Sequence, residues 1–331
     1  MVALTAPAVR IGVDLGGTKT EGIVMDGDGT ILARERRATP QHLGYRAILE
    51  NIRDLVHNLD QHAGTRCPVG IGTPGSLSAR SGLLKNSNTV CLNGKPLARD
   101  LGSILERPVR IANDANCFAL SEAIDGAGHG QPVVFGVILG TGVGGGIVVR
   151  GQLLEGLQHI AGEWGHNPLD PDGPACYCGR RGCVETLLSG PGLERDYAAL
   201  LDACRTNTLA GGGPEGSPDG SHRAAPPLPD ARAIAALAGT GNMLAEAAMK
   251  RYLERFGRAL AAVINILDPD VIVLGGGLSN IARLYDDGRT QVARHVFNDE
   301  LRTQIVPNVH GDSSGVRGAA RLWPGCETQR S

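Results

Sequence analysis

The sequence predicts an α/β protein of two lobes with a cleft between them, and three observations predict it. At 331 residues the chain is long for a single core and suggests two units of roughly 150 residues each. A strand, a glycine-rich turn and a returning strand occur twice, first in "IGVDLGGTKTEGIV" and again in "PVVFGVILGTGVGGGIVVRG". Between and after these copies, strand-like and helix-like stretches alternate.

Taken in order, Val9–Val13 is short and β-rich, a turn over Asp14–Lys19 follows, and "TEGIVMD" and "TILARERRA" complete three antiparallel strands. Tyr45–Gln61 has helical periodicity, "CPVGIGTPG" reads as a strand, a loop runs to Gly94, and "RPVRIANDANCFALSEAI" reads as strand, tight turn and helix. The second hairpin copy ends at "QLLEG". Pro191–Cys204 is expected to be helical. The stretch "NTLAGGGPEGSPDGSHRAAPPLPD" is too rich in Gly and Pro to fold alone, so a flexible surface insertion is expected over residues 205–230. A long helix over Met243–Leu267 runs into "DPDVIVLGGGLSN", a buried strand ending in Gly275, Gly276 and Gly277 before a new helix, the pattern of a ligand-facing strand end. The tail "HGDSSGVRGAARLWP" reads as a final Ser- or Gly-capped helix. The expected lobes are residues 1–123 with 311–331, and residues 124–310.

Composition narrows the function classes. The 32 Lys and Arg nearly balance the 34 Asp and Glu, so nothing argues for a nucleic-acid partner or an acidic membrane surface, and a small neutral or anionic ligand is the better expectation. The first residues, "MVALTAPAVR", lack the pattern of a secretory signal, and no apolar run approaches the roughly 18 residues of a membrane span. A soluble cytoplasmic protein is expected. In that setting eight cysteines point to thiols or metal ligands before disulfides.

The glycine turns have two readings. "GTGVGG", from Gly140 to Gly145, matches the dinucleotide fingerprint G-x-G-x-x-G, but the following "IVVRG" is strand-like where that fingerprint needs a helix. "DLGGTKT" lacks Walker A spacing. Either turn could be an ordinary hairpin. Alternatively, Gly16, Gly17, Thr18 and Lys19 in one lobe and Gly140, Thr141, Gly142, Val143, Gly144 and Gly145 in the other could grip a polyphosphate from two sides through backbone N–H groups.

One loop, Gly162–Gly190, reads "GEWGHNPLDPDGPACYCGRRGCVETLLSG". Its His166, Cys176, Cys178 and Cys183 form an H-x9-C-x-C-x4-C set. Three thiolates and an imidazole suit a closed tetrahedral Zn²⁺ with no open position for water, so the expected zinc is structural. Glu163 and Glu185 flank this loop and on residue type alone read as solvated surface charges. Asp114 follows Asn113 at a strand-to-helix junction. It reads either as part of an N-terminal cap or as a carboxylate placed to take a proton from an alcohol that attacks a phosphate. Asp14 could orient Mg²⁺ and Lys19 offset phosphate charge, or both could be plain turn residues.

The segments "IGVDLGGTKTEGIV", "GIGTPG", "ANDANCFALSEA", "LGTGVGGG", "GEWGH", "CYCGRRGCVET" and "LDPDVIVLGGGLSN" together resemble the ROK family of sugar kinases and repressors, over residues 10 to about 200 and 243 to 324. The resemblance implies the actin-like ATPase (ribonuclease H-like) fold, Mg-ATP and sugar as substrates, a homodimer, and zinc on the matching His and three Cys. It implies Asp114 as general base, with Asn88, Asn113, Glu163, His166 and Glu185 as further sugar contacts. Among family members the loop and tail look most like bacterial fructokinases, so phosphorylation of fructose at its 6-hydroxyl is expected, with N-acetylglucosamine kinase or glucokinase as the alternative. A sugar-sensing repressor would need a DNA-reading module ahead of Ile11, where few residues stand. One departure is Cys91, where relatives commonly carry a large aromatic in a loop near the sugar.

Overall fold

The structure, a computed structural model, describes residues 9–210 and 227–323. Strands β1 (Arg10–Leu15), β2 (Lys19–Met25) and β3 (Ile31–Ala38) form the antiparallel meander expected at the start of the chain. Helix α1 (Tyr45–Ala63) buries Ile48, Ile52, Leu55, Val56 and Leu59, the i, i+4, i+7 stripe that its periodicity foretells. Strand β4 (Val69–Thr73) is buried throughout, as expected of a strand covered on both faces, and pairs parallel to β1. A small hairpin, β5 (Ser76–Leu77) with β6 (Leu84–Lys85), stands in what the sequence reads as loop. Helix α2 (Leu97–Ile104) leads to β7 (Val109–Asn113) and α3 (Asp114–Asp125).

The second lobe repeats the plan with β8 (Val133–Leu139), β9 (Val143–Val149) and β10 (Gln152–Leu153) as its meander. Helices α4 (Val184–Leu188), α5 (Gly190–Ala210), α6 (Ala231–Gly239) and α7 (Met243–Leu267) follow, then β11 (Val271–Gly275), α8 (Asp287–His295), β12 (Gln304–Pro307) and α9 (Ser314–Arg321). The sheet orders are β3-β2-β1-β4-β7 and β10-β9-β8-β11-β12. Each is a three-strand meander extended by two parallel strands, so the duplication read from the glycine turns extends to whole sheets.

Helices α3 and α9 join the two sheets. Phe118, Leu120 and Ala123 of α3 pack with Val134, Val148, Val271 and Val273 of the second sheet, while Cys117 meets Ala112 and Ala319. The α3–α9 crossing is so tight that a Cβ on Gly318 would lie 1.7 Å from the Cys117 carbonyl oxygen. Glycines at 12 and 70 serve the same purpose beneath α9, since a Cβ there would lie 2.2 Å from the Val316 oxygen and 1.8 Å from the Ala319 oxygen.

Glu122, fully buried on α3, pins the two chain crossings between the sheets. It accepts hydrogen bonds from Ala127 N (3.0 Å), Val309 N (3.1 Å), His310 N (3.2 Å) and Ser314 Oγ (2.8 Å). One turn on, Asp125 takes His310 Nε2 at 3.0 Å together with Arg317 and Arg321, and these guanidinium groups hold its carboxyl below the usual range against the effect of burial.

Several sequence expectations are corrected. Helix α5 continues through Ala210, so residues 205–210 belong to a helix and not to the insertion; residues 211–226 lie outside the described residues. Gly276 leads into a 3-10 turn over Gly277–Asn280, because Gly276 takes a φ of 80° that ends the regular path. Ser313 makes no side-chain cap on α9, and the hydroxyl of Ser314 is spent on Glu122 instead. The second glycine turn is shorter than expected, for Gly144–Gly146 already belong to β9.

Candidate active site

Parallel strands carry their functional residues at their carboxyl ends, and β1, β7 and β8 do so here. β1 ends in Asp14 and Leu15 before the turn Gly16–Thr18, which closes through Gly16 N to Lys19 O at 3.0 Å. β7 ends in Asn113 and passes directly into α3, with Asp114 in its first turn. Asn113 caps that helix, accepting Ala115 N at 2.8 Å, and its amide nitrogen donates to Gly75 O at 3.2 Å. Both halves of this amide are therefore used to shape the strand-to-helix junction. Asp114 Oδ1 also accepts Ala115 N, at 2.9 Å.

Burial raises the Asp114 carboxyl above its ordinary range, against the opposing pull of the Ala115 N–H. Asp14 is pushed up to about 6, first by burial, then by Asp114 and Glu21, with Lys19 pulling the other way. A buried carboxyl whose proton affinity is raised further by neighbouring acidic groups forms a site where a cation is favourable.

From the second lobe, Glu163 sits before a 3-10 turn over Trp164–His166. Burial raises its carboxyl, His166 opposes this, and Asp114 and Glu185 add to it. Glu163, His166, Glu185 and Asp114 thus share one field although they come from three segments. Lys85 of β6 lowers the Glu163 carboxyl across the same space. Sequence reading missed it, since nothing marks a two-residue strand inside a loop.

The metal-type cluster is compact. The ligand atoms of His166, Cys176, Cys178 and Cys183 all lie within 4.8 Å of one another. Cys176 Sγ is 3.6 Å from His166 Nδ1, and Cys178 Sγ is 3.6 Å from Cys183 Sγ. A hydrogen bond from Arg180 brings the exposed Cys178 thiol down to about 6, whereas burial pushes Cys183 up to about 12. Positive φ at Gly179 (88°) and Gly182 (59°) lets the chain fold the cysteines together. The other ring nitrogen of His166, Nε2, lies 2.9 Å from the hydroxyl of Tyr177, which sequence reading also missed.

Glu185 connects this loop to the second glycine turn. Cys183 precedes α4, Glu185 lies in its first turn, and Glu185 Oε2 accepts the N–H of Val143 at 3.0 Å. Gly190 N donates to Gly140 O at 2.8 Å, bracing the turn from its other side. Val143 is thereby used up: its N–H is bonded to Glu185 and its side chain is buried in the core, which leaves it nothing to offer a phosphate. Gly145 and Gly275 are glycine because Trp164 and Phe118 occupy their Cβ positions at 2.7 and 2.4 Å, and Gly144 faces Ala115 at 3.0 Å. Gly140, Thr141 and Gly142 remain in the turn between β8 and β9; Thr141 is exposed and Gly140 has open space at its Cβ position, while Gly142 lies against Glu185, and in the first turn Thr18 and Lys19 are exposed. Asn88 is exposed on a loop pinned by Asn93, which accepts Ser87 N at 2.9 Å and donates to Ser87 O at 2.8 Å. Cys91 packs against the first-lobe core.

A duplicated five-strand lobe with acidic groups and glycine turns at the facing strand ends defines the two-lobed actin-like ATPase class. The ROK family's sequence model matches residues 10–325, and the chain belongs to that family, among its sugar kinases. It is 37% identical over 321 residues to the N-acetyl-D-glucosamine kinase of Salmonella newport (strain SL254), covering 94% of this chain and 98% of that protein. The crystal structure of the ROK hexokinase from Thermus thermophilus superposes with a TM-score of 0.78 at 31% identity, covering 94% of this chain and 96% of that one. A ROK family glucokinase from Streptomyces griseus, in complex with glucose and AMPPNP, gives a TM-score of 0.73 at 30% identity, covering 95% and 99%. Among the described residues no helix is long and apolar enough to cross a membrane.

Proposed function

We propose that this chain is an ATP-dependent N-acetylglucosamine kinase that phosphorylates the 6-hydroxyl of its sugar. The observation that carries this reading is the similarity to an N-acetylglucosamine kinase along almost the whole chain, metal loop included. It favours the acetamido sugar over fructose, which the loop and tail motifs alone suggest.

In this reading Asp114 takes the proton of the 6-hydroxyl as its oxygen forms a bond to the γ-phosphorus and the bond to the ADP oxygen breaks. Its raised proton affinity suits a general base. Glu163, His166, Glu185 and Asn88 hold the other sugar hydroxyls, and Asn113 positions Asp114 through the helix cap. Gly16–Lys19 and Gly140–Gly142, with Gly276 and Gly277, receive the ATP phosphates. The buried carboxylate of Asp14 at the end of β1 would orient a Mg²⁺ ion, which when bound would neutralise phosphate charge, leaving Asp114 free to act as base.

The thiol and imidazole contacts of 3.6 Å fit Zn²⁺. A tetrahedron with Zn–S of about 2.3 Å and Zn–N of about 2.0–2.1 Å has edges of about 3.5–3.8 Å. Four protein ligands make the zinc structural, tying down the loop that carries Glu163 and Glu185.

The lobes of this reading are residues 1–123 with 311–331 and residues 124–310, closing on the sugar to exclude water. The protein acts as a cytoplasmic homodimer. Comparing kcat/KM for N-acetylglucosamine, glucose, mannose and fructose with Mg-ATP tests the reading. N-acetylglucosamine should lead by at least about tenfold, and a preference for fructose would overturn the assignment.

A further inference from the structure

Strands β1 and β7 lead to the active site at one end and to a second cavity at the other. Arg10 opens β1, Arg110 lies at the start of β7, and Gln152 opens β10 beyond the far end of β9. With Arg321 and Trp323 at the end of α9, and Leu120 and Ile124 on α3, they line an interlobe cavity of about 650 Å³. A six-residue strand spans roughly 17–20 Å, so this cavity lies about that far from Gly16, outside the catalytic cleft.

The lining is cationic. Arg10, Arg110 and Arg321 face it, and Glu155 is its one acidic residue. The Arg321 side chain is only 9% exposed; one of its terminal nitrogens meets Asp125, but its Nε is buried without an acceptor. Asp125 is already shared with Arg317 and His310, so it cannot balance all of the neighbouring charge. Arg110, itself exposed, is held in place, its guanidinium carbon 4.4 Å from the Trp323 ring centroid and its Nη1 donating to Leu322 O at 2.6 Å. Guanidinium groups held by fixed contacts around one cavity call for an anion with several oxygens, which accepts paired charge-assisted hydrogen bonds. The apolar faces of Leu120 and Ile124 would take the uncharged body of such a ligand.

We propose that this cavity is a second ligand site that binds a phosphate monoester and bridges the two lobes. Its walls come from both lobes, and α3, which lines it with Leu120 and Ile124, carries Asp114 in its first turn. A ligand here has different contacts at different lobe angles, so it couples to substrate binding in the cleft, and the coupling is reciprocal.

Calorimetric titration tests this with the catalytic cleft first saturated with N-acetylglucosamine and a non-hydrolysable ATP analogue. The probes are N-acetylglucosamine 6-phosphate and inorganic phosphate, in separate arms. One equivalent of the sugar phosphate should bind. Weaker binding of inorganic phosphate assigns the apolar faces to the sugar, and equal binding assigns the site to phosphate alone; both support the anion site. Arg110→Ala should weaken binding at least about tenfold. Gln152→Trp, which fills the cavity, should abolish it, with basal turnover unchanged in both variants. Absence of binding to the cleft-saturated protein, or binding unaltered in both folded variants, overturns the proposal. Because binding is read directly, this outcome is separate from any result on which sugar is phosphorylated.

Discussion

Asp14 offers a test that separates electrostatics from activity. Its carboxyl is raised from the ordinary 3.8 to about 6, chiefly by burial and then by Asp114 and Glu21. The folded state therefore binds the Asp14 proton more tightly than the unfolded chain does. This group's contribution to stability is complete below pH 4 and is lost as pH rises through about 6. The whole shift corresponds to about 3 kcal/mol, of which about 1 kcal/mol falls between pH 5 and 7.5. Asp14→Asn keeps the shape and removes the titration. In the absence of nucleotide and Mg²⁺, the variant's stability relative to wild type should therefore improve by about 1 kcal/mol from pH 5 to pH 7.5. Near pH 7 its melting temperature should be a few degrees higher, at roughly 1–2 °C per kcal/mol for a chain of 331 residues. Urea denaturation at a series of pH values reads this directly. Stabilisation by Mg-ATP should shrink in the variant. A variant less stable than wild type at pH 7.5, or one with the same pH slope, would refute the claim that a buried carboxyl is held ready for a cation.

Cys178→Ser should reduce bound zinc from about one per chain and weaken sugar binding, as metal analysis and sugar titration would show; metal-free protein with full activity would remove the structural role. Because Glu185 bonds to Val143 N–H, Glu185→Ala should raise KM for ATP as well as for sugar, and an unchanged KM for ATP would break the link between metal loop and glycine turn. Glu122→Ala strands the buried donors of Val309, His310 and Ser314, and should cost about 3 kcal/mol or more in chemical denaturation. Gly318→Ala should destabilise the protein by at least ~3 kcal/mol, because its Cβ meets the backbone of α3; a loss under ~1 kcal/mol would mean that α3 and α9 separate easily.

What could be read in advance depended on how local its cause is. Helix α7 matches its expected span because its signals are adjacent: Asn242 caps it by accepting Ala245 N at 2.9 Å, and Asp268 ends it in a left-handed conformation just before Pro269. The first meander and the duplication were legible for the same reason, as patterns within a few residues. Glu122 looked like any helix-surface glutamate, since its partners Val309, His310 and Ser314 lie 187 to 192 residues away. The glycines of β9 suggested a loop because glycine is poor in strands, yet there they admit α3 and Trp164 at close range. In the site, the cysteine spacing foretold the cluster of ligand atoms. Lys85 and Tyr177 carried no signal, for both matter only through what the fold sets opposite them.

The most direct test of the account is the rate of N-acetylglucosamine 6-phosphate formation by wild type and Asp114→Asn, at saturating sugar and Mg-ATP, with product identified by NMR. Wild type should form the 6-phosphate, and the variant, which still presents an amide of the same shape, should bind the sugar but turn over about 10²–10⁴-fold more slowly. A variant with near wild-type turnover, or a wild type that forms no sugar phosphate, would contradict it.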